Sequence, residues 1–390
     1  MIKTHKVKIY PNRTMTKEIY KLFDYRRYIW NLGLETWNTM YDESLVMEDK
    51  DLRPTEYKVR KYLNSVKQDW QYELSSHTLV LTINQLTKAW KNYFNPNMPN
   101  HEKPKFKAKK NYKPTFTTDI ARLIDGKLVL DKAQPRDKAT WYGIKLSEQP
   151  RFTGKLKLTT ITEEADGLYA SLVFDTNVET ILPSNKEVAG VDVNVKRFNY
   201  NEGKQTIIYP KSLEKHYSKI NHYQRMLARK RAANPRNFKT KRYTKVRNKL
   251  RREYQKVNNI QMDILHKFTH GLINNYGEIH IEDLNVHGMM MSKRMSKNLH
   301  RSMFGKLAEV LKYKSEWYGR KLVLVDRLYP STQLCSVCGF RKTSDTYGGK
   351  HTLAGDSVHH DHQTYYCYNC GAILDRDENA VQNIINYGLD

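Results

Sequence analysis

The chain has 390 residues and carries 67 Lys and Arg against 41 Asp and Glu, a formal net charge of +26. This length suits two or three domains with separate cores, and the positive excess predicts a polyanionic partner, for which nucleic acid is the best explanation. No run approaches the ~20 apolar residues of a membrane span, and the N-terminal residues lack the apolar segment of a secretory signal. The sequence therefore predicts a cytoplasmic, nucleoid-associated protein with no membrane partner.

The first hundred residues predict a strand and a helical module. Residues 4–10 alternate apolar and Lys side chains, as a half-buried strand does, and we expect them to pair with strands much later in the chain. Apolar residues at three- and four-residue spacing predict amphipathic helices over 16–42 and 75–94. These stripes are Ile19, Phe23, Trp30, Leu34 and Trp37, then Leu79, Ile83, Leu86 and Trp90. Such stripes are typical of core packing and indicate no chemistry.

Residues 101–119 interleave cations with aromatic residues and prolines. The candidate nucleic-acid contacts in this segment are Lys105, Lys107, Lys109 and Lys110. Cations beside aromatic rings suit a phosphate backbone next to unstacked bases, with a solvated linker as the alternative. Short strands separated by turns then follow over 115–178 and predict a small β-barrel, which the strand over 4–10 would join.

A β-branched strand over 187–192 ends in the carboxylate of Asp192. An unpaired charge in an apolar interior costs several kcal/mol or more, so Asp192 must contact solvent, a cation or a ligand. Glu282 ends a second strand over 278–282 and lies on the face opposite its isoleucines. Both carboxylates are therefore candidate site residues.

The third candidate acid is Asp377, at the start of the closing helix. It lies on the face that carries Ala380 and Ile384, which packs on the sheet, whereas Asp375 precedes the helix and is interpreted as its cap. Asp192, Glu282 and Asp377 together are candidate ligands of divalent metal ions.

The most basic segment, 216–257, predicts a helical hairpin broken near Pro235. Its candidate phosphate contacts are Arg229, Lys230, Arg231, Lys241 and Arg242. A solvated face is the alternative. Helices predicted over 258–276 and 300–319 alternate with strands over 278–282 and 322–326, which indicates an α/β domain.

All four cysteines lie in two CxxC pairs, Cys335 with Cys338 and Cys367 with Cys370. Four thiolates complete a tetrahedral Zn²⁺ shell with no position left for water, so the pattern predicts one structural zinc ion. The gap between the pairs exceeds the ~15 to 20 residues usual for zinc ribbons, and we interpret 341–363 as a protruding loop. Its histidines, His351, His359, His360 and His362, are interpreted as loop residues because the thiols already fill the shell.

Several motifs resemble the TnpB family of transposon-encoded proteins, compact relatives of the type V CRISPR effectors. GVDVNVKRF, IEDLNVHGM and DRDENAVQNI resemble the three RuvC nuclease motifs, and YPSTQLCSVCG with YYCYNCG resembles the zinc ribbon inserted before the third. YRRYIWNLGLE, KAWKNYF, KPKFKAKK and LKYKSEWYGRKLVLVD extend the match over nearly the whole chain.

The resemblance implies a multidomain α/β and β architecture. Its expected parts are a wedge-type β-barrel (1–10 and 101–184), a helical recognition lobe (11–100), a RuvC nuclease of ribonuclease-H-like fold (185–328 and 371–390) and an inserted zinc ribbon (329–370). In the family, the helix that begins near Ser75 helps to read a short duplex motif beside the target. Ser76 and His77 on its first turn are therefore candidate contacts.

The implied function is RNA-guided cleavage of DNA. The resemblance implies a guide RNA and target double-stranded DNA as partners, with Asp192, Glu282 and Asp377 as catalytic acids. Three such carboxylates suit two Mg²⁺ ions and phosphodiester hydrolysis without a covalent enzyme intermediate. A guided repressor without cleavage and an unguided DNA-binding accessory protein of the transposon are the alternatives; relatives of the first kind usually lose one acid, and here all three are present.

Overall fold

A computed structural model describes residues 1–98, 100–110, 112–130, 143–176, 181–194, 197–207, 209–285, 288, 303–343 and 363–388. The chain divides into two compact units, Met1–Val178 and Glu179–Asp390. None of the helices within those ranges is both long and apolar enough to span a membrane.

Helices form one layer of the first unit. They are α1 (Arg13–Val46), α2 (Glu56–Ser65), α3 (Asp69–Tyr72) and α4 (Ser76–Phe94). The two predicted helices correspond to α1 and α4, and α1 starts earlier than predicted because the Asn12 side chain caps it by accepting from the Met15 amide. The predicted apolar stripes are buried, and Trp37 of α1 stacks on Trp90 of α4 with ring centroids 5.9 Å apart. The stripes are core, as expected.

A seven-stranded antiparallel sheet forms the other layer of this unit. Its strands are β1 (Ile2–Tyr10), β2 (Thr115–Thr118), β3 (Arg122–Ile124), β4 (Lys127–Val129), β5 (Ile144–Leu146), β6 (Lys155–Glu164) and β7 (Gly167–Asp175), in the order β2-β6-β7-β1-β5-β4-β3. The expectation that the first strand pairs with late strands is confirmed, because β1 lies between β7 and β5. Among the described strands this ladder ends at β2 and β3, so a closed barrel stays a prediction.

A mixed five-stranded sheet organises the second unit. Its strands are β8 (Val188–Val193), β9 (Arg197–Tyr200), β10 (Lys204–Ile207), β11 (Glu278–Glu282) and β12 (Lys321–Val325), and its helices are α5 (Lys211–Ala233), α6 (Lys241–Asn275), α7 (Phe304–Tyr318) and α8 (Arg376–Asn386). The strand order is β10-β9-β8-β11-β12. The β11 strand runs parallel to both β8 and β12, whereas β8, β9 and β10 are antiparallel. The predicted α/β alternation is confirmed.

The basic hairpin consists of α5 and α6, with Pro235 in the connection as expected. The prediction of a separate helix over 258–276 was wrong, because α6 is one continuous helix of 35 residues. No proline interrupts it, and its apolar residues continue in register, so nothing in the sequence ends the helix near residue 257. One apolar cluster of Leu213, Ile220 and Val257 and a second of Leu227, Tyr243 and Val246 hold the two helices together.

Helix α8 packs on β8 at a glycine. A Cβ atom on Gly190 would lie 2.6 Å from the carbonyl oxygen of Val381 and 2.7 Å from Cγ1 of Ile385. On the opposite face of the sheet, Ala189 and Val191 join the apolar core beneath α6 and α7. Gly190 therefore sets how closely α8 approaches the strand.

Replacing Gly190 tests this contact. Gly190→Ala should destabilise the second unit by about 1–3 kcal/mol, since an added methyl group displaces backbone that is already packed. Gly271→Ala is the matched control, because a Cβ atom there would meet nothing within 4 Å and the change stabilises a helix by roughly 0.5–1 kcal/mol. Hydrogen exchange of the β8 and α8 amides measures both effects. Equal protection in the two variants would show that α8 does not depend on Gly190.

Candidate active site and metal centre

Asp192 and Glu282 lie at the same edge of the mixed sheet. Ile281 of β11 pairs with Val191 of β8 in parallel register, so the next residue on each strand is an acid at the carboxyl end of the sheet. Ligand sites of open α/β sheets form at this edge. The structure therefore brings together two acids that are ninety positions apart in the sequence.

Asp377 reaches the same place from α8. Asp375 is the N-cap of this helix, as interpreted from the sequence, and its Oδ1 accepts from the amides of Asp377 (2.9 Å) and Glu378 (3.0 Å). Asp375 is exposed, whereas the Asp377 residue retains 5% exposure and contacts the sheet. Asp375 therefore faces solvent as the helix cap, whereas Asp377 faces the sheet.

Asn199 of β9 joins two of the acids. Its Nδ2 donates to Oδ2 of Asp192 (3.3 Å) and to Oδ2 of Asp377 (2.9 Å). The residue is 3% exposed, and its Oδ1 is buried without a hydrogen-bond partner among the described residues. A buried amide whose nitrogen is hydrogen-bonded and whose oxygen has no partner indicates a site that can accept a further polar group or ion.

Burial raises the pKa of two of the carboxylic acids, Asp192 and Glu282. Burial raises the pKa of Asp192 to about 7, with further contributions from the charges of Glu282 and Asp377. Burial also raises the pKa of Glu282, although the Ser331 hydroxyl opposes the shift by donating to Oε1 at 2.8 Å. Buried carboxylates with a raised pKa are typical of functional sites.

Two guanidinium groups compensate part of this charge. Arg197 donates to Oδ2 of Asp377 at 2.9 Å and Arg376 donates to Oδ1 at 2.8 Å.

Within the described ranges, only the four cysteines form a group of three or more candidate ligands that all lie within 4.8 Å of one another. The three acids are therefore more widely spaced than the thiols.

The four cysteines form a compact cluster, as the sequence predicted. Cys335 Sγ lies 3.7 Å from Cys370 Sγ, and Cys338 Sγ lies 3.6 Å from Cys367 Sγ. These distances match the edge of a tetrahedron, about 3.8 Å, whose centre is roughly 2.3 Å from each sulfur, as in Zn–thiolate sites. The cluster therefore fits one zinc ion. The strands β13 (Thr364–Tyr366) and β14 (Ile373–Asp375) carry the second knuckle.

The long loop between the knuckles lies mostly outside the described residues. This applies to 344–362, and therefore to His351, His359, His360 and His362. The interpretation of 341–363 as a protruding loop stays a prediction.

The first knuckle is fixed to α8. Asn379 donates to the Leu334 carbonyl (2.7 Å) and accepts from the Ser336 amide (2.9 Å). Asn383 donates to the carbonyls of Ser331 and Leu334, both at 2.8 Å. Four hydrogen bonds therefore join the helix that carries Asp377 to the segment that contains the first two cysteines.

The predicted cations of the 101–119 segment lie in different environments. Lys105 pairs with Glu102, Lys109 pairs with Asp24 at 3.2 Å, and Lys110 is exposed. Lys107 instead lies over the Trp30 ring, with its Nζ 3.1 Å from the centroid. The four lysines are thus not equivalent.

The remaining predicted contacts lie on helices. Arg229, Arg231, Lys241 and Arg242 are exposed on the hairpin and Lys230 is partly exposed, but Arg231 also donates to the Tyr243 hydroxyl. Ser76 is exposed at the start of α4, and His77 Nδ1 lies 2.6 Å from Oδ1 of Asp119. These side chains are placed where a polyanion can reach most of them.

Sequence reasoning missed several polar residues around the acids. Arg197 and Asn199 alternate with Phe198 and Tyr200, a period-two pattern that would have predicted β9 with one polar face. Ser331 has no comparable signal, because its role depends on a contact with Glu282.

Three segments of the chain match known protein families. Family models match residues 171–293 ("Probable transposase"), 304–384 ("Cas12f1-like, TNB domain") and 1–45 ("Helix-turn-helix domain"). Residues 1–45 contain β1 and most of α1. A "Putative RNA-guided DNA endonuclease" of Streptomyces pristinaespiralis is 27% identical, over 98% of this chain and 89% of that protein.

Further similar proteins have related descriptions. A "Putative RNA-guided DNA endonuclease InsQ" of Escherichia coli is 26% identical over 72% of this chain and 69% of its own length. A "TnpB-like protein" of Acanthamoeba polyphaga mimivirus is 24% identical over the whole chain and 74% of its own length. A solved Cas12f1–sgRNA–target DNA complex aligns over 99% of both chains at 16% identity, with a TM-score of 0.34.

Proposed function

The chain belongs to the TnpB family, and from this premise we propose that it is an RNA-guided DNA endonuclease. It would bind a structured guide RNA, recognise a short duplex motif beside the target and hydrolyse DNA phosphodiesters. Ser76 and His77 at the start of α4 are the proposed readers of that motif.

One observation carries the catalytic part of the proposal. Asp192, Glu282 and Asp377 converge from β8, β11 and α8, and Asn199 bridges two of them. Three parallel strands, β8, β11 and β12, beside an antiparallel ribbon form the arrangement that we assign to a RuvC nuclease of ribonuclease-H-like fold. Three acids on separate elements, all partly or fully buried, have a high cost unless cations neutralise them.

The donor set suits magnesium. Asp192, Glu282 and Asp377 would hold two Mg²⁺ ions, since carboxylate oxygens are the ligands that this cation prefers. When bound, the ions would supply an activated water and charge stabilisation for in-line phosphodiester displacement. Asn199 would hold two carboxylates in a fixed orientation. Arg197 and Arg376 hold Asp377 in place, and burial limits competing water.

The remaining domains follow the family assignment. We assign 1–10 and 101–184 to the wedge-type barrel, 11–100 to the recognition lobe, 185–328 and 371–390 to the nuclease and 329–370 to the ribbon. The four thiols would hold one structural Zn²⁺. A charge of +26 supports a large polyanionic partner, for which guide RNA with target DNA is the proposal.

Exchanging the guide tests the function. The RNA that copurifies with the protein should contain a segment that matches the cleaved DNA, and replacing this segment should redirect cleavage to the new match beside the same duplex motif. Sequencing of the RNA and of the cleaved ends measures both. RNA-free protein that still cuts one preferred sequence would contradict the guided mechanism, whereas redirected binding without cleavage would favour the repressor alternative.

A further inference from the structure

We propose that Arg26 and Lys107 form a binding site for one phosphate group of a nucleic-acid backbone in the first unit. The proposal rests on the proposed function only for its choice of ligand. The site consists of two cations that lie side by side on α1 and on the segment that crosses it.

Among the described residues, neither cation has an acidic partner. Arg26 is 8% exposed and donates to the Tyr112 hydroxyl (2.5 Å) and to Oε1 of Gln85 (2.7 Å), both uncharged. In the described part of the chain, no carboxylate lies within ion-pair distance of Arg26 or Lys107. The neighbouring Lys105 and Lys109, by contrast, do pair with acids.

The two charges oppose each other. Burial, with a smaller contribution from the nearby Arg26 charge, lowers the pKa of Lys107 to about 7. The Trp30 ring attracts the ammonium group, but a cation–π contact contributes ~0.5–2 kcal/mol. Desolvating an ion costs several kcal/mol, so the ring does not offset the burial of two cations. An anion that makes two charge-assisted hydrogen bonds would offset this cost.

The backbone around Lys107 is held in place. Asn31 of α1 accepts from the Lys107 amide at 2.7 Å and donates to its carbonyl at 3.1 Å, and Trp30 Nε1 donates to the Lys105 carbonyl at 3.0 Å. The Lys107 side chain is only partly buried, so an approaching phosphate can reach it. This is a preorganised site, unlike a mobile surface lysine.

The first test compares two lysines of the first unit. Lys107→Met keeps the aliphatic stem and removes the charge, and Lys21→Met is the matched control at an exposed position on α1, where the lysine pairs with Glu18. The full-length protein is titrated with a fluorescent single-stranded RNA and with a DNA duplex at several salt concentrations. Lys107→Met should weaken binding at least about tenfold and reduce the log–log salt slope by roughly 0.7 on RNA or 0.9 on duplex DNA, the value for one phosphate.

The controls separate the possible failures. Lys21→Met should weaken binding less than about threefold, and Lys107→Arg should retain the wild-type slope because it keeps the positive charge. The polymer whose slope changes identifies the phosphate as RNA or DNA. An unchanged slope in Lys107→Met, or equal effects of the two Met variants, would overturn the phosphate site alone. Absence of binding to either polymer by the wild-type protein would overturn both this site and the proposed function.

Discussion

Asp192→Asn should abolish DNA cleavage and at the same time stabilise the metal-free protein. The loss of cleavage, on the order of 10³-fold or more, follows from removing one of three proposed metal ligands. The gain in stability follows from burial, because the raised pKa of Asp192, about 7, means that the folded state disfavours its charge. Each pKa unit is worth on the order of 1 kcal/mol, so the gain is a few kcal/mol at most.

The pH dependence of this gain has a defined sign. An unfolded Asp ionises near pH 4, so the wild-type protein has no penalty at lower pH, where the carboxyl group is neutral in both states. The penalty grows as pH rises from about 4 to 7 and is complete above that range. The free energy of unfolding of Asp192→Asn, measured in chelator, should therefore exceed that of the wild type most clearly above pH 7.

Asp375→Asn is the control for the cleavage measurement. Asn is as good a helix cap as Asp, and Asp375 is exposed outside the acid cluster, so this variant should keep most of its activity. Guide and target binding should persist in both variants, because cations hold the phosphates. If the Asp192→Asn variant cleaves DNA and the Asp375→Asn variant does not, the assignment of the acids is refuted.

Loss of one zinc ligand should remove cleavage without any change to the acids. Structural zinc contributes about 10–16 kcal/mol to the folding of small zinc domains, so Cys367→Ser should unfold the ribbon. The effect should reach the acids because Asn379 and Asn383 tie α8 to the first knuckle, and Ser331 donates to Glu282. We expect elemental analysis to find one zinc per wild-type chain and substoichiometric zinc in the variant.

Val337→Ser is the matched control for the ribbon. Val337 lies between Cys335 and Cys338 and is 66% exposed, so the same replacement residue in the same knuckle should leave zinc content and cleavage unchanged. Full cleavage by a zinc-free Cys367→Ser protein would show that the ribbon contacts do not support the acids. Zinc-free wild-type protein, purified without chelator, would remove the zinc assignment.

The sequence predicted features that depend on local pattern. Local patterns placed α1, α4, β1, the short strands within 115–178, and β8, β11 and β12 of the mixed sheet, and the position of Asp375 before an apolar helix distinguished the cap from the inward-facing Asp377. Closely spaced cysteines predicted the thiol cluster. Each of these signals lies within a few residues of the feature it predicts.

The remaining features depend on distant parts of the chain. Asn199 contacts Asp377, which lies 178 positions later in the sequence, and no local sequence pattern can indicate a contact over that separation. Arg26 did carry a signal, because it lies between Phe23 and Trp30 at the three- and four-residue spacing of the apolar stripe. A cation in a core stripe marks a special environment, but the absence of an acidic partner is visible only once the tertiary contacts are known.

Because α8 packs on β8 but follows it in the sequence, one face of β8 stays uncovered until α8 has been synthesised. Asp192 leaves the ribosome long before Asp377, and at roughly 5–20 residues per second about 10 to 40 s separate the two. During this interval the Gly190 face of β8 has no helix to cover it, and the acid cluster lacks its third member. On the proposed assignment, a chain still being translated cannot cut the DNA from which its messenger RNA is transcribed.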